Sequence, residues 1–303
     1  VKLSSLVGAW NKFFFEPQSP VPIALFRILY GVFVVATLLL QRPDWLAWYG
    51  THAWVTLPTM HQVEPGTRIN LFALFPVSDA WAEAVFWIAL LSAALLTAGF
   101  FTRLSNVIVF LCLTSMDQRN LFVTHGGDTF LRVTGFFLIF APAGAAMSLD
   151  RLLRVRRGVE DTNVILPRPP WAQRMIQLEL SILYLAAFFS KAQGVLWVNG
   201  TALYFVYHLD ELRRFPVPPF LLSPVMLKLA TWAALTLELC LGTLIWIVEF
   251  RYYVMALGLL LHLSLEYSLN IPMFQWDVMS AYVLFVDPAD LARAWKFVRE
   301  RFD

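Results

Sequence analysis

"VPIALFRILYGVFVVATLLL", residues 21–40, carries one charge, Arg27, in twenty positions. A helix of about 20 mostly apolar residues is what crossing the hydrocarbon core of a bilayer requires. Lipid offers the backbone no hydrogen bonds, so such a stretch must satisfy its own N–H and C=O groups as a helix. Apolar stretches of the same kind follow at about 81–100, 104–118, 128–147, 171–192, 227–248 and 251–269, with a shorter one at about 276–287. The expected fold is an all-α, polytopic integral membrane helical bundle of about eight transmembrane helices. Residues 1–303 form a single transmembrane domain in this reading, and no β-rich lumenal or extracellular domain is expected.

Composition agrees. The chain is 59% hydrophobic and 15% charged, with a mean hydropathy of +0.63, whereas soluble domains are about half apolar and a quarter charged. Twelve tryptophans in a chain that is 16% aromatic suit long membrane–water boundaries. A net charge of +2 without a basic stripe gives no support for nucleic-acid binding. The N-terminal "VKLSSLVGAWNKFFFEP" lacks the apolar run and small-residue cleavage site of a signal peptide. It reads as an amphipathic helix on the membrane surface. Cys112 and Cys240 lie inside apolar runs and read as packing residues, with a disulfide between them left open. His52 and His61 are nine residues apart and lack metal-ligand spacing, so no metal site is expected.

Orientation follows from the basic residues. An even number of spans puts both termini on one side, together with "DRLLRVRRGVEDTNVILPRPPWAQR" at 150–174. That side holds fourteen of the 23 basic residues, among them Lys2, Lys12, Arg103 and Arg251, and is expected to be cytoplasmic. The long stretches 41–80 and 193–226 then face outward. They are too rich in Trp, Tyr and Pro for solvated loops and are expected to lie on the membrane or fold back over the bundle.

Ionisable groups inside lipid are costly and mark functional sites. The topology places Lys191 near the outer end of the fifth span, His125 just before the fourth, and His262 in the outer half of the seventh. Three nitrogen bases thus converge on the outer half. Each has a plainer reading. Lys191 can reach the headgroups along its stem. His262 can be held by Glu266, four residues on along the same helix face. Asp128 can cap the helix after Gly126–Gly127 and pair with Arg132. Glu179 and Glu238 read as protonated packing residues or as partners for a buried base, and Arg27 as paired with a carboxylate or a lipid phosphate.

Several phrases resemble the bacterial HTTM family, whose membrane domain is shared with vitamin K-dependent γ-carboxylase. They are "FRILYG" at 26–31, "QRNLFVTHGGDTFLR" at 118–132, "FAPAGAAMSLD" at 140–150, "YLAAFFSKAQGVLWVNGTALY" at 184–204 and "LHLSLEYSLNIPMFQWDVMSAYVLF" at 261–285. A short chain of this kind also resembles sporulation-delaying protein B, which helps to mature a secreted peptide. The resemblance implies that Lys191, followed by Trp197 and Gly200, is a base acting on a reduced quinone, with His125 and His262 as further catalytic residues. Pro272 stands where the family has a glycine after the latter histidine. Asn120, Trp197, Glu238 and Glu266 are the implied binding residues. The implied cofactor is vitamin K hydroquinone or menaquinol, with O2 and CO2 if carboxylation is retained. A lysine ammonium is no base near neutral pH unless apolar surroundings disfavour its charge, and Phe188, Phe189 and Trp197 are there to provide them. Two function classes follow: a membrane enzyme that modifies a partner peptide, located in the bacterial inner membrane, or a non-catalytic lipid- or quinone-binding accessory subunit, or partner in peptide export or immunity.

Overall fold

A computed structural model of the chain describes residues 3–63, 65 and 70–302. Lys2 and part of the 41–80 stretch lie outside these residues. The described residues are helical, with two isolated bridges and no strand. The chain divides into two compact units, Val1–Ile176 with Val286–Asp303, and Gln177–Phe285.

The first unit contains α1 (Leu3–Phe15), α2 (Val21–Gln41), α3 (Trp45–Tyr49), α4 (Leu57–Val63), α5 (Asp79–Ala98), α6 (Thr102–Arg119), α7 (Gly126–Phe140) and α8 (Leu149–Arg156). Helix α9 (Trp171–Ala192) begins in this unit and continues into the second. There follow α10 (Val195–Val198), α11 (Ala202–Tyr207), α12 (Pro224–Thr243), α13 (Val248–Ser268) and α14 (Phe274–Ser280), and α15 (Pro288–Phe302) belongs to the first unit. Five segments are long and apolar enough to cross a membrane: Val21–Tyr49, Asp79–Ala98, Trp171–Ala192, Pro224–Trp246 and Val248–Ser268. The other three expected spans are helical but different in kind. α6 has spanning length yet carries Arg103, Asp117 and Arg119. α7 has 15 residues, about 22 Å of helix. The stretch after Pro272 is a 7-residue helix running into a 3₁₀ turn, Ala281–Phe285.

The distribution of side chains suits lipid. Leu39, Leu40, Trp87, Leu91, Leu229, Tyr253, Leu257 and Leu260 are exposed on the long helices, while Arg27, Asn106, Asp117, Arg119, Gln177, Glu238, His262 and Gln275 are buried. Apolar outside and polar inside is the pattern of helices whose solvent is hydrocarbon. α1 fits its amphipathic reading: Leu6, Val7 and Trp10 are exposed, and Arg174 fixes its end through the Phe13 carbonyl (3.3 Å) and ring (4.8 Å).

The two long stretches, 41–80 and 193–226, fold back onto helices of their own unit. In the first, Trp45 donates to the Ala82 carbonyl at 2.9 Å, Tyr49 stacks on Phe72, and the buried Arg119 guanidinium donates to the carbonyls of Val55 (2.7 Å) and Gly50 (3.3 Å). In the second, Trp232 donates to the Val198 carbonyl at 3.1 Å, and Arg213 forms a backbone bridge with Leu269.

Arg27 is fully buried, feels the charge of the Asp150 carboxylate, and forms no direct ion pair among the described residues. Its guanidinium donates to the carbonyls of Ala143 (3.2 Å), Thr97 (3.4 Å) and Met147 (2.6 Å). It thereby ties the end of α5 to the turn between α7 and α8. Gly99 terminates α5 with φ of +69°, and a side chain there would collide with the guanidinium as well as strain the backbone.

Candidate functional site

The second unit brings Lys191, Glu238 and Trp197 together. Lys191 lies in the last turn of α9 and forms an ion pair with Glu238 Oε1 of α12. Its ammonium also lies over the Trp197 ring, 5.1 Å from the centroid, a favourable contact with the negative face of the π system. The Lys191 side chain is 30% exposed and that of Glu238 12%. The second carboxylate oxygen of Glu238, Oε2, is buried without a hydrogen-bond partner. A buried acceptor left empty is costly, and a hydroxyl donor brought to this oxygen would remove that cost.

α9 also presents Tyr184, seven residues before Lys191 and so on the same face. Tyr184 begins a buried chain of polar groups. Its hydroxyl is 2.6 Å from His262 Nε2 and 2.5 Å from the Tyr282 hydroxyl, and His262 Nδ1 is 2.5 Å from Gln275 Oε1. With the amide as oriented, Nδ1 carries the proton and donates to Gln275, so Nε2 accepts from Tyr184 and Tyr184 accepts from Tyr282. Both ring nitrogens of His262 are therefore engaged. The histidine orients and connects, and Lys191 and Glu238 are the charged pair near it.

Glu266 does not hold His262. It pairs with Arg214, which donates also to the Glu266 carbonyl at 3.1 Å. This guanidinium comes from the 193–226 stretch, whose bridge to Leu269 places it within reach. Glu179 is half-buried on α9.

His125 and Asn120 belong to the first unit, and both cap helical turns. His125 Nδ1 accepts from the Gly127 amide at 2.9 Å, and Asp128 accepts from the His125 amide at 2.8 Å. The result is a capping box at the start of α7. Asn120 is buried, and its side chain accepts from the Phe122 amide at 3.2 Å. Asp128 is used by the cap, so Arg132 pairs with Asp117 of α6 instead, at 3.1 Å. Cys112 and Cys240 are free thiols.

Sequence reasoning named Lys191, Glu238, His262 and Trp197 and missed Tyr184, Tyr282, Gln275 and Arg214. A signal existed for the tyrosines and the glutamine: hydrogen-bonding groups within apolar stretches need partners in lipid. Arg214 carried none, because its partner lies 52 residues away.

A lysine without a partner would be removable at no cost. The ion pair reverses that expectation. Lys191→Met strands the Glu238 carboxylate. Breaking a fully buried pair costs about 3–5 kcal/mol, and the partial exposure of Lys191 reduces this to about 1–3 kcal/mol. Lys191→Met/Glu238→Leu is expected to recover most of the loss in thermal unfolding in detergent. A double variant no more stable than Lys191→Met would show that the charges are not coupled.

The five long apolar helices, the buried polar residues and the lipid-compatible exterior define a polytopic helical integral membrane protein. The family model for the HTTM domain matches residues 15–289. The chain belongs to the HTTM family, and so is a membrane domain related to carboxylase-type proteins. No solved structure matches it.

Proposed function

We propose that the Lys191–Glu238 centre makes this protein a membrane enzyme resembling vitamin K-dependent γ-carboxylase, acting on a quinol or another lipid-soluble hydroxyl substrate. The observation that carries this reading is the buried, unpartnered Glu238 Oε2 beside a half-buried ammonium. A quinol would be held by these groups, with one hydroxyl donating to Oε2 and the Trp197 ring offering an aromatic face. The bound quinol would supply reducing equivalents, with O2 and CO2 as co-substrates where carboxylation is retained and a partner peptide as acceptor.

The residues contribute acid–base chemistry. Lys191 and Glu238 share one proton as ammonium and carboxylate, or as amine and carboxylic acid. In the second form the Lys191 amine is the base: it takes the proton of a substrate hydroxyl while Glu238 keeps the shared one, which leaves ammonium beside carboxylic acid. The ammonium then faces the oxygen that lost the proton and stabilises its charge. His262, held by Tyr184 and Gln275, positions Tyr184 on the face of α9 that also carries Lys191. Glu266 remains a proposed binding residue of this unit, paired with Arg214, while His125 and Asn120 are each taken up by a cap within the first unit.

One observation favours the alternative. A closed lysine–glutamate pair is also what a non-catalytic quinone- or lipid-binding accessory subunit, or a peptide export or immunity partner, would use to join α9 to α12. Oxygen uptake by the full chain in proteoliposomes supplied with menaquinol or vitamin K hydroquinone separates the two. Uptake no faster than with empty liposomes would leave the accessory reading.

The proposed setting is a bacterial inner membrane with both termini cytoplasmic. Val159 and Trp54 are both well exposed, in the basic stretch and the first outer stretch respectively. In a background lacking Cys112 and Cys240, Val159→Cys is expected to resist an impermeant thiol reagent added to intact cells, and Trp54→Cys to react. The opposite pattern would invert the topology.

A further inference from the structure

A second site lies within the first unit, away from the chemistry proposed above. The first turn of α6, the turn after α7, α8 and the strand-like segment at Arg168 surround an open cleft of about 450 Å³, in the size range of small-molecule pockets, about 300–1,000 Å³. Its charges are unevenly satisfied. Asp150 is consumed by the start of α6, accepting from the amides of Phe101 and Thr102 (2.8 Å each) and from the Thr102 hydroxyl at 2.6 Å. Glu160 is consumed by Arg154 at 2.6 Å, and Arg154 donates in addition to the Gly144 carbonyl at 3.0 Å. The cleft also contains Arg103 and Arg168, both exposed and neither with a side-chain partner among the described residues. Arg168 is nevertheless fixed in place, because its backbone exchanges hydrogen bonds with Gln18 at 2.8 and 2.9 Å.

The cleft thus presents two guanidiniums unpaired among the described residues, over a floor that includes Leu138 and Ala141. It lies at helix ends, where a membrane-embedded bundle meets the headgroups. Leu104 and Phe140, beside it in sequence on α6 and α7, are exposed and apolar. The amphipathic α8 exposes Leu149 and Leu152 next to its arginines, as interfacial helices do. A guanidinium binds phosphate oxygens in a bidentate manner, and basic pockets at this level of a membrane protein suit anionic headgroups.

We infer that this cleft is a binding site for the phosphodiester headgroup of an anionic phospholipid, held by Arg103 and Arg168 with its acyl chains along Leu104 and Phe140. Phosphate chemistry alone would also admit free inorganic phosphate. The apolar flank at membrane level favours the lipid.

The test uses the full chain, delipidated in detergent and offered equal phosphatidylglycerol and phosphatidylcholine, with retained lipid counted by native mass spectrometry. The wild type is expected to prefer phosphatidylglycerol. Arg103→Gln and Arg168→Gln should each lower that preference about fivefold, and the double variant about thirtyfold, the effect of removing cations that face an anionic headgroup. All should unfold at the wild-type temperature, since neither side chain bonds to another described residue. Arg156→Gln/Arg157→Gln, which removes two nearby cations outside the cleft, should leave the preference almost unchanged. An equal loss in that control would reduce the effect to general charge and overturn the site. No preference in the wild type would overturn it too. Displacement of phosphatidylglycerol by millimolar inorganic phosphate, dependent on the same two arginines, would reassign the cleft to free phosphate.

Discussion

Lys191→Arg is expected to insert and fold like the wild type and to lose quinol-dependent oxygen uptake by about 10²–10⁴-fold, the contribution of a positioned acid–base group. The variant is informative because it keeps the positive charge beside Glu238. The carboxylate stays paired, so the stability loss expected for Lys191→Met does not arise. Stacking on Trp197 is also open to a guanidinium, which favours aromatic faces. What arginine lacks is the ability to give up its proton. Loss of turnover at matched membrane abundance and unchanged melting would therefore isolate proton transfer from anchoring. Full activity in Lys191→Arg would remove lysine from the chemistry and leave it as a tie between α9 and α12.

Arg27→Leu is expected to give the largest loss of stability, about 3–5 kcal/mol. It leaves the carbonyls of Thr97, Ala143 and Met147 without their buried donor, and each orphaned buried acceptor costs about 1–3 kcal/mol before the structure relaxes. Arg27→Lys should recover only part, because an ammonium has three donors on a narrower head and cannot span the same carbonyls. Denaturant titration of the purified protein in detergent measures both. A change below about 0.5 kcal/mol in Arg27→Leu, the scale of an inert surface substitution, would show that the turn after α7 holds itself.

The long spans were legible because lipid imposes one simple rule on sequence, a sustained apolar run, which α2, α5, α9, α12 and α13 obey. The lysine near the end of α9 was legible for the converse reason: a charge is conspicuous where charges are costly. Its partner was legible only as one of two carboxylates within spans, since no sequence spacing relates residues 191 and 238. Predictions from helix spacing fared worse. Glu266 lies one turn from His262, and Asp128 one turn from Arg132, yet Arg214 takes the first and a helix cap the second. Local spacing shows which groups can meet. The choice among them depends on what the rest of the fold delivers, and a loop arginine 52 residues away leaves no periodic trace. Arg27 was legible in part. A buried cation suggests an anion, and Asp150 does act on it, but its direct acceptors are carbonyls at helix ends, whose positions are not written in side-chain identity.

Gly242 stands one turn beyond Glu238, on the side of α12 that meets α9. A β-carbon there would lie 2.7 Å from Leu185 Cγ and 3.3 Å from the Ser181 carbonyl oxygen. The missing methyl group therefore acts as a spacer gauge: it sets how near the two helices come, and with that the gap across which the lysine and the carboxylate reach one another. The ion pair can be retuned from a position that carries no charge, much as the throw of a switch is adjusted at its hinge and not at its contacts.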